Sequence, residues 1–481
     1  MGLNSQENIL KVLTAFNPWW KSGVMRSEFS KSYKRFAFFE TVKILSHKTI
    51  RRTVVLTGSR RVGKTTIQYQ VIESLLKTGI APQRIIFVSL DHPLFKLCKL
   101  NEILDCYHVN IYGEEDCYYF LDEIQYAADW DKWVKTIFDI KPLSRMVATG
   151  SASPILKKKV AESGAGRWTV IQVPTLSFFE YCEMLNLERP ELSQELKPTN
   201  LFLFEKRRLT ALMTQMSNLQ KHFNRYLSVG GFPELALAND DFLAQTIMRE
   251  DVVDKVLKRD IPSLYNIRNS TELERIFLYL CYHSSNIIAV EAITKELEGV
   301  SRATVDDYIN YMESANLIYR SFPFNMNGKK ALKAKAKIYI ADAAIRNAVL
   351  MDDNLLLDSE QLGITVETAV YKHIAAFYYQ NTTSVGYYRD GKKGKEVDIV
   401  VDFPKGKILI EVKYRENVSI GEKDAIYELA DKATFSIVVT KRNDDYGIKK
   451  SQGKKDILYL PASTFLYLLG NAEKNGYRGS K

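Results

Sequence analysis

The chain has 481 residues, 46% of them apolar and 26% charged, which is an ordinary globular composition on a chain too long for one core, so two to four domains are expected. A formal charge of +10 and a pI near 9.0 admit a nucleic-acid partner without requiring one. Five scattered cysteines, Cys98, Cys106, Cys117, Cys182 and Cys281, form no C-x-x-C pair and no cluster with histidine, so no zinc site is expected and the pattern points to reduced thiols in a cytoplasm.

At the N-terminus, "MGLNSQENILKVLTAFNPWW" has no basic stretch followed by an apolar run, and no segment approaches bilayer length; neither secretion nor a membrane partner is expected. The paired tryptophans of "FNPWW" suit packing against the domain that follows or against a neighbouring chain. The β-branched runs "RRTVVLTG" (51–58), "RIIFVSL" (84–90), "CYYFLDE" (117–123) and "RMVATGS" (145–151) alternate with helical patterns such as "KTTIQYQVIESLLKTG". That rhythm predicts an α/β domain with a buried parallel sheet.

"GSRRVGKTT" fits G-x-x-x-x-G-K-[ST] between a strand and a helix. In a phosphate loop of this kind Gly58, Ser59, Arg60, Arg61, Val62 and Gly63 turn backbone N–H groups toward a nucleotide, and the following helix N-terminus adds its dipole. Lys64 would reach the β- and γ-phosphates, Thr65 would ligate Mg2+, and Thr66 completes the loop. ATP and Mg2+ are therefore the expected cofactors. The strand "CYYFLDE" ends in Asp122 and Glu123, suited to holding the magnesium and to orienting or deprotonating an attacking water. Two weaker candidates follow: Ser151, placed to sense the γ-phosphate, and Arg167 in "SGAGRW", a candidate arginine finger for its own site or a neighbour's.

From about 200 to 265 the pattern is helical, interrupted by the glycines and proline of "SVGGFPELALAND", which suggest a turn or a domain junction. Three amphipathic helices follow, the third capped by Ser301, and then two strand-like runs flank the basic loop "NGKKALKAKAK". This order resembles a winged helix, with Arg302, Thr304 and Asp307 where a recognition helix meets a groove. Protein docking is the competing use, because Asp306 and Asp307 would repel phosphates.

The remaining segment, 341–481, reads as a helix (360–379) and then strands near 385–389, 396–402, 407–414 and 434–440, with the lysine-rich "KKSQGKKD" taken as a solvated loop. In "EVDIVVDFPKGKILIEVKY" (396–414) a turn at Pro404–Lys405 sets Asp398 directly across from Glu411, with Cβ atoms about 5 Å apart. Facing carboxylates destabilise a sheet unless a cation lies between them. A divalent metal would supply that cation, and Lys413, on the same strand face as Glu411, would steer a water or stabilise a transition state. A merely charged solvent face is the alternative.

The order of "GSRRVGKTT", "LDEIQ", "TGSAS" and "GRW…VPTLSFFEY" resembles AAA+-superfamily ATPases of the prokaryotic group that carries a C-terminal restriction-endonuclease-like domain. The aspartate thirteen residues before Glu411 in E-V-K resembles the PD-(D/E)XK motif, with Val397 standing where a proline is usual. The resemblance implies that Asp398 and Glu411 are metal ligands, that Lys413 is the catalytic lysine, and that Glu367 in "ITVETAVYKHI" is the acid contributed by the first core helix; Mn2+ is a substitute ion there. The domain expectation is an ATPase over 1–200, a helical linker or lid over 201–265, a winged helix over 266–340 and a nuclease-like domain over 341–481. The implied function is ATP-controlled, Mg2+-dependent cleavage of DNA more than RNA by a cytoplasmic homo-oligomer, in defence or mobile-element handling. The alternative is a nucleotide-switched regulatory ATPase that binds DNA or a protein partner through an inactive nuclease-like fold.

Overall fold

The computed structural model describes residues 6–113, 116–150, 166–193, 196–324, 335–351, 358–378, 384–390, 394–403, 406–421, 423–451 and 454–479. The chain forms two compact units, Met1–Pro174 and Thr175–Lys481. The expected boundaries at 200/201, 265/266 and 340/341 all fall inside the second.

The first unit is built on a parallel sheet of β1 (Thr53–Thr57), β2 (Ile85–Ser89), β3 (Tyr118–Asp122), β4 (Arg145–Gly150) and β5 (Trp168–Gln172), in the order β2-β3-β4-β1-β5. Every residue of β1 and β2 is buried, which is why these strands read as unbroken apolar runs rather than alternating ones. Four strands match the expected runs. The fifth, β5, was not expected; it pairs with β1 in parallel register from Thr53↔Trp168 to Thr57↔Gln172. Because β4 lies between β1 and β3, the end of β4 separates the loop after β1 from the acids that end β3.

The "FNPWW" segment protects the open edge of β2. Asn17 exchanges two hydrogen bonds with the Phe87 backbone, at 2.8 and 2.6 Å, and the indole N–H groups of Trp19 and Trp20 both donate to the Ile85 carbonyl, at 3.1 and 2.8 Å. Satisfying an edge strand from its own chain removes a site of unwanted pairing.

The second unit carries a mixed sheet of nine strands in the order β13-β14-β12-β11-β10-β9-β7-β8-β6. Its strands are β6 (Asn286–Ile288), β7 (Ile318–Pro323), β8 (Ala336–Ile340), β9 (Ser384–Arg389), β10 (Glu396–Phe403), β11 (Gly406–Lys413), β12 (Phe435–Thr440), β13 (Gly447–Ser451) and β14 (Lys454–Pro461). The three expected helices are Ser270–Tyr282, Val290–Glu296 and Arg302–Ser314, the last capped by Ser301 Oγ accepting from the Thr304 N–H at 3.1 Å. Strand β8 pairs antiparallel with both β6 and β7, and β7 pairs parallel with β9 through Phe322↔Gly386. One sheet therefore runs across the boundary expected at 340/341.

In "KKSQGKKD", expected as a loop, the described residues 449–451 and 454–456 are strand. They enter β13 and β14, and β14 pairs with β12 from Ser436↔Ile457 to Thr440↔Pro461. Val397, Val400, Leu409, Ile426, Val438 and Ile457 form one buried apolar cluster against this part of the sheet, each side chain contributing about 1.5–3 kcal/mol by leaving water. Among the described residues, no helix is long and apolar enough to cross a membrane.

Candidate functional site

Strand β1 delivers the chain into the phosphate loop, and the helix Lys64–Lys77 leaves it, capped by Gly63 in a left-handed conformation at φ 93°. Gly58 is required by space: a Cβ there would lie 2.2 Å from the Val173 carbonyl oxygen. Lys64 is 95% buried and its ammonium donates back to the Gly58 and Ser59 carbonyls at 3.0 and 2.8 Å, so the cation stands inside the loop that would wrap a phosphate. Arg35, also buried, donates to the Val62 carbonyl at 3.1 Å and fixes the loop from outside.

The Thr65 hydroxyl donates to both oxygens of Asp122, at 3.0 and 3.1 Å, and Thr149 at the end of β4 donates to Asp122 Oδ1 at 2.6 Å. Burial, and then the charge of Glu123, push the Asp122 carboxyl up to about 6. A hydroxyl and a carboxylate so placed fit Mg2+, whose charge would offset that penalty. Glu123 itself is held left-handed at φ 52°, with its N–H on Thr149 Oγ at 3.0 Å and its carboxylate accepting from Gln125. Such a conformation is costly for a non-glycine residue and aims the side chain away from the strand direction.

Arg167 is not placed to act on the phosphate loop of its own chain. Its carbonyl accepts from the Thr53 N–H at 2.9 Å, at the start of β1, whereas the loop follows the end of that strand, roughly 15 Å away at about 3.3 Å per residue. Its guanidinium is paired with Asp139 at 3.0 Å. Ser151 lies outside the described residues, as do Pro404 and Lys405.

In the second unit, β10 and β11 pair antiparallel from Ile399↔Ile410 to Phe403↔Gly406, the register that sets Asp398 against Glu411. The Val412 N–H donates to Asp398 Oδ2 at 2.8 Å, and Lys413 Nζ lies 2.5 Å from Glu411 Oε1. Glu367, on the helix Ser359–Tyr378, joins the same group: its Oε1 accepts from the Tyr339 hydroxyl at 2.9 Å. Burial and the facing Asp398 charge raise the proton affinity of both Glu411 and Glu367 above the usual carboxylate range.

Sequence reasoning missed the residue at the centre of these acids. Lys337, counted above in a basic loop, is buried in β8 with its ammonium 2.8 Å from Glu367 Oε1, 2.8 Å from Glu396 Oε1 and 3.2 Å from Asp398 Oδ1. Burial alone would lower its proton affinity, but Tyr339, Glu367, Asp398 and Glu396 hold it well above that of an ordinary lysine. Among the described residues no three acids, histidines or cysteines converge as a ready metal-ligand group; Lys337 spaces three of the oxygens at ammonium distances. The group as a whole holds four carboxylates, which face the ammonium groups of Lys337 and Lys413 and, at 4.0 Å from Glu396, the Arg389 guanidinium. Glu411 Oε2 is buried with no hydrogen-bond partner. A divalent cation beside Asp398 and Glu411 would give that oxygen a partner. The missed signal was a lysine inside the otherwise apolar strand "AKIYI"; Thr149, likewise missed as a site residue, was visible as a polar strand end beside the phosphate loop.

Comparison with known proteins agrees with the first unit. Residues 50–182 match the family described as an AAA domain, residues 220–356 a domain of unknown function (DUF8612), and residues 362–462 another domain of unknown function (DUF4143). Two uncharacterized proteins of Methanocaldococcus jannaschii are similar over most of their length: MJ1544 is 27% identical over 79% of this chain and 78% of its own, and MJ1637 is 25% identical over 93% and 92%. Among solved structures, a Walker-type ATPase of Pyrococcus abyssi aligns with 68% of this chain and 98% of its own at 12% identity and a TM-score of 0.38. The ORC2 protein of Aeropyrum pernix gives the same coverage and identity at 0.37. With the parallel sheet and the phosphate loop, the domain match makes the first unit an AAA-type P-loop ATPase domain.

Proposed function

We propose that this chain is an ATPase whose nucleotide state controls a magnesium-dependent nuclease site on β10 and β11. The observation that carries the nuclease half is the register that opposes Asp398 to Glu411, with Lys413 two residues on and Glu367 joining from the helix. Magnesium, when bound, supplies Lewis-acid charge to the phosphate oxygens in each site, held by Thr65 and Asp122 in one and by Asp398 and Glu411 in the other; Mn2+ is the expected substitute in the second. Lys64 neutralises the β- and γ-phosphates, Glu123 orients and deprotonates the attacking water, and Lys413 brings positive charge to the scissile phosphodiester.

The connection between the two functions is covalent and is bonded within each unit. Arg35, which holds the Val62 carbonyl of the phosphate loop, also donates to the carbonyl of Pro174 at 2.7 Å. The next residue, Thr175, donates to Asp342 at 2.7 Å, and Lys372 donates to the Leu176 carbonyl at 2.7 Å. Asp342 follows the strand that carries Lys337, and Lys372 shares a helix with Glu367.

The helix–strand–helix–helix–strand–strand order of 270–340 supports a winged-helix reading with DNA as its partner. Arg302 is paired there with Glu291 at 2.7 Å, so a phosphate would have to displace that acid. Homo-oligomerisation would give Arg167 a neighbour's nucleotide to reach. The nuclease reading is tested with plasmid and linear DNA and with RNA in Mg2+: wild type cuts, Asp398→Asn does not. Intact substrates under every nucleotide condition would overturn it. A second reading, a regulatory ATPase with a silent nuclease-like domain, is favoured by Lys337 lying among the acids, and that outcome would establish it.

A further inference from the structure

We propose that Lys337 is a built-in cation of the acid site, standing where a second divalent ion would lie, so that the intact domain takes one ion rather than two. The inference rests on the nuclease reading and adds to it the ion stoichiometry and a positioning residue from outside the β10–β11 hairpin. Sites that cleave phosphodiesters often use two metal ions about 3.5–4 Å apart, sharing a carboxylate. Here Asp398 is the shared acid: Oδ1 faces the Lys337 ammonium at 3.2 Å, while Oδ2 accepts from the Val412 N–H at 2.8 Å on the Glu411 side. On the Glu411 side the carboxylate has a buried oxygen without a donor. On the other side, Glu367, Glu396 and Asp398 each already have an oxygen within 3.2 Å of one ammonium.

Without Lys337, Glu367, Glu396 and Asp398 would each lose the ammonium they now face within 3.2 Å, which leaves oxygens and space for a second ion. Lys337 is held for this position. It is 97% buried, lies on β8 beside Tyr339, and Tyr339 ties down Glu367 through its hydroxyl. An ammonium cannot leave such a site without abandoning three carboxylates within 3.2 Å of it. It thereby sets the spacing of Asp398 and Glu367 before any ion binds.

The test is Mn2+ binding to the full chain without nucleotide, counted by calorimetry as the equivalents lost on adding Asp398→Asn. One equivalent is expected in the wild type, one in Lys337→Arg, and two in Lys337→Met. Electron paramagnetic resonance of the wild type at saturating Mn2+ gives a check that needs no variant: an isolated ion is expected, and a spin-coupled pair overturns the proposal. One equivalent in both wild type and Lys337→Met overturns the proposal and leaves the nuclease reading standing. Zero in both overturns the nuclease reading and the proposal with it.

Discussion

Asp342 is a buried acid of the second unit that accepts from four donors, and its removal has a calculable cost. Its Oδ2 accepts from Thr175 Oγ at 2.7 Å, from the Gly231 N–H at 3.2 Å and from the Lys372 ammonium at 3.2 Å, while Oδ1 caps the helix Ala343–Leu350 through the Ala344 N–H at 3.1 Å. Asp342 and Lys372 are both 98% buried. Breaking a buried pair by deleting one partner costs about 3–5 kcal/mol, and losing a cap costs about 1 kcal/mol. The two overlap, so Asp342→Ala should destabilise the second unit by about 4 kcal/mol. Asp342→Asn, which keeps one acceptor oxygen for the Ala344 cap, should cost less, and Asp342→Ala with Lys372→Met should also cost less than Asp342→Ala alone. All five tryptophans, Trp19, Trp20, Trp130, Trp133 and Trp168, belong to the first unit. Urea unfolding followed by tryptophan fluorescence therefore reports that unit, and circular dichroism reports both. The expected result is an earlier transition in circular dichroism with the fluorescence transition unmoved. A loss below about 1 kcal/mol, or an equal shift in fluorescence, would refute the assignment of this network to the stability of the second unit.

Three further outcomes are expected. Lys64→Ala should abolish tight ATP binding in a fluorescent-nucleotide titration, whereas Glu123→Gln should bind ATP and fail to turn it over; unchanged hydrolysis in either contradicts the roles assigned. His373 accepts from the Phe178 N–H at its Nε2, 2.9 Å away, so its proton sits on Nδ1 and is donated to the Ala369 carbonyl at 2.7 Å. Burial, and then the Lys372 charge, hold its proton affinity well below that of a free histidine. Because the unfolded chain then binds the extra proton, stability is intact above about pH 6.5 and falls by about 1.4 kcal/mol per unit below it. Comparing urea midpoints at about pH 7.0 and 5.5, this step should be present in wild type and missing in His373→Gln. Finally, Gly231→Ala would place a methyl 2.5 Å from the Leu176 carbonyl oxygen and 3.0 Å from Lys372 Nζ, costing about 2 kcal/mol by overpacking; an unchanged melt would show that the backbone there yields freely.

The parts of the two sites that were legible in the sequence are those whose chemistry is local. The phosphate loop declares itself through glycine spacing and a lysine on a helix start, and Asp122 and Glu123 through an apolar strand that ends in acids. The β10–β11 register was readable because side chains alternate with a period of two across a short turn. Lys337 was not readable, because the acids that give it meaning lie 59 and 61 residues further on in Glu396 and Asp398. Strands β13, at the sheet edge, and β14 beside it were hidden by lysines that a loop also prefers. Arg167, expected to serve its own site or a neighbour's, stands just before the unexpected β5, which sets it beside the start of β1 and away from its own phosphate loop.

The central claim is tested most directly by DNA cleavage in Mg2+ crossed with ATP, ADP and a non-hydrolysable ATP analogue, in wild type, Glu123→Gln and Asp398→Asn. The account predicts that cleavage by wild type depends on which nucleotide is bound, that Glu123→Gln with ATP matches wild type with the analogue, and that Asp398→Asn never cuts while still hydrolysing ATP. Cleavage that is indifferent to nucleotide, or that survives in Asp398→Asn, would contradict it.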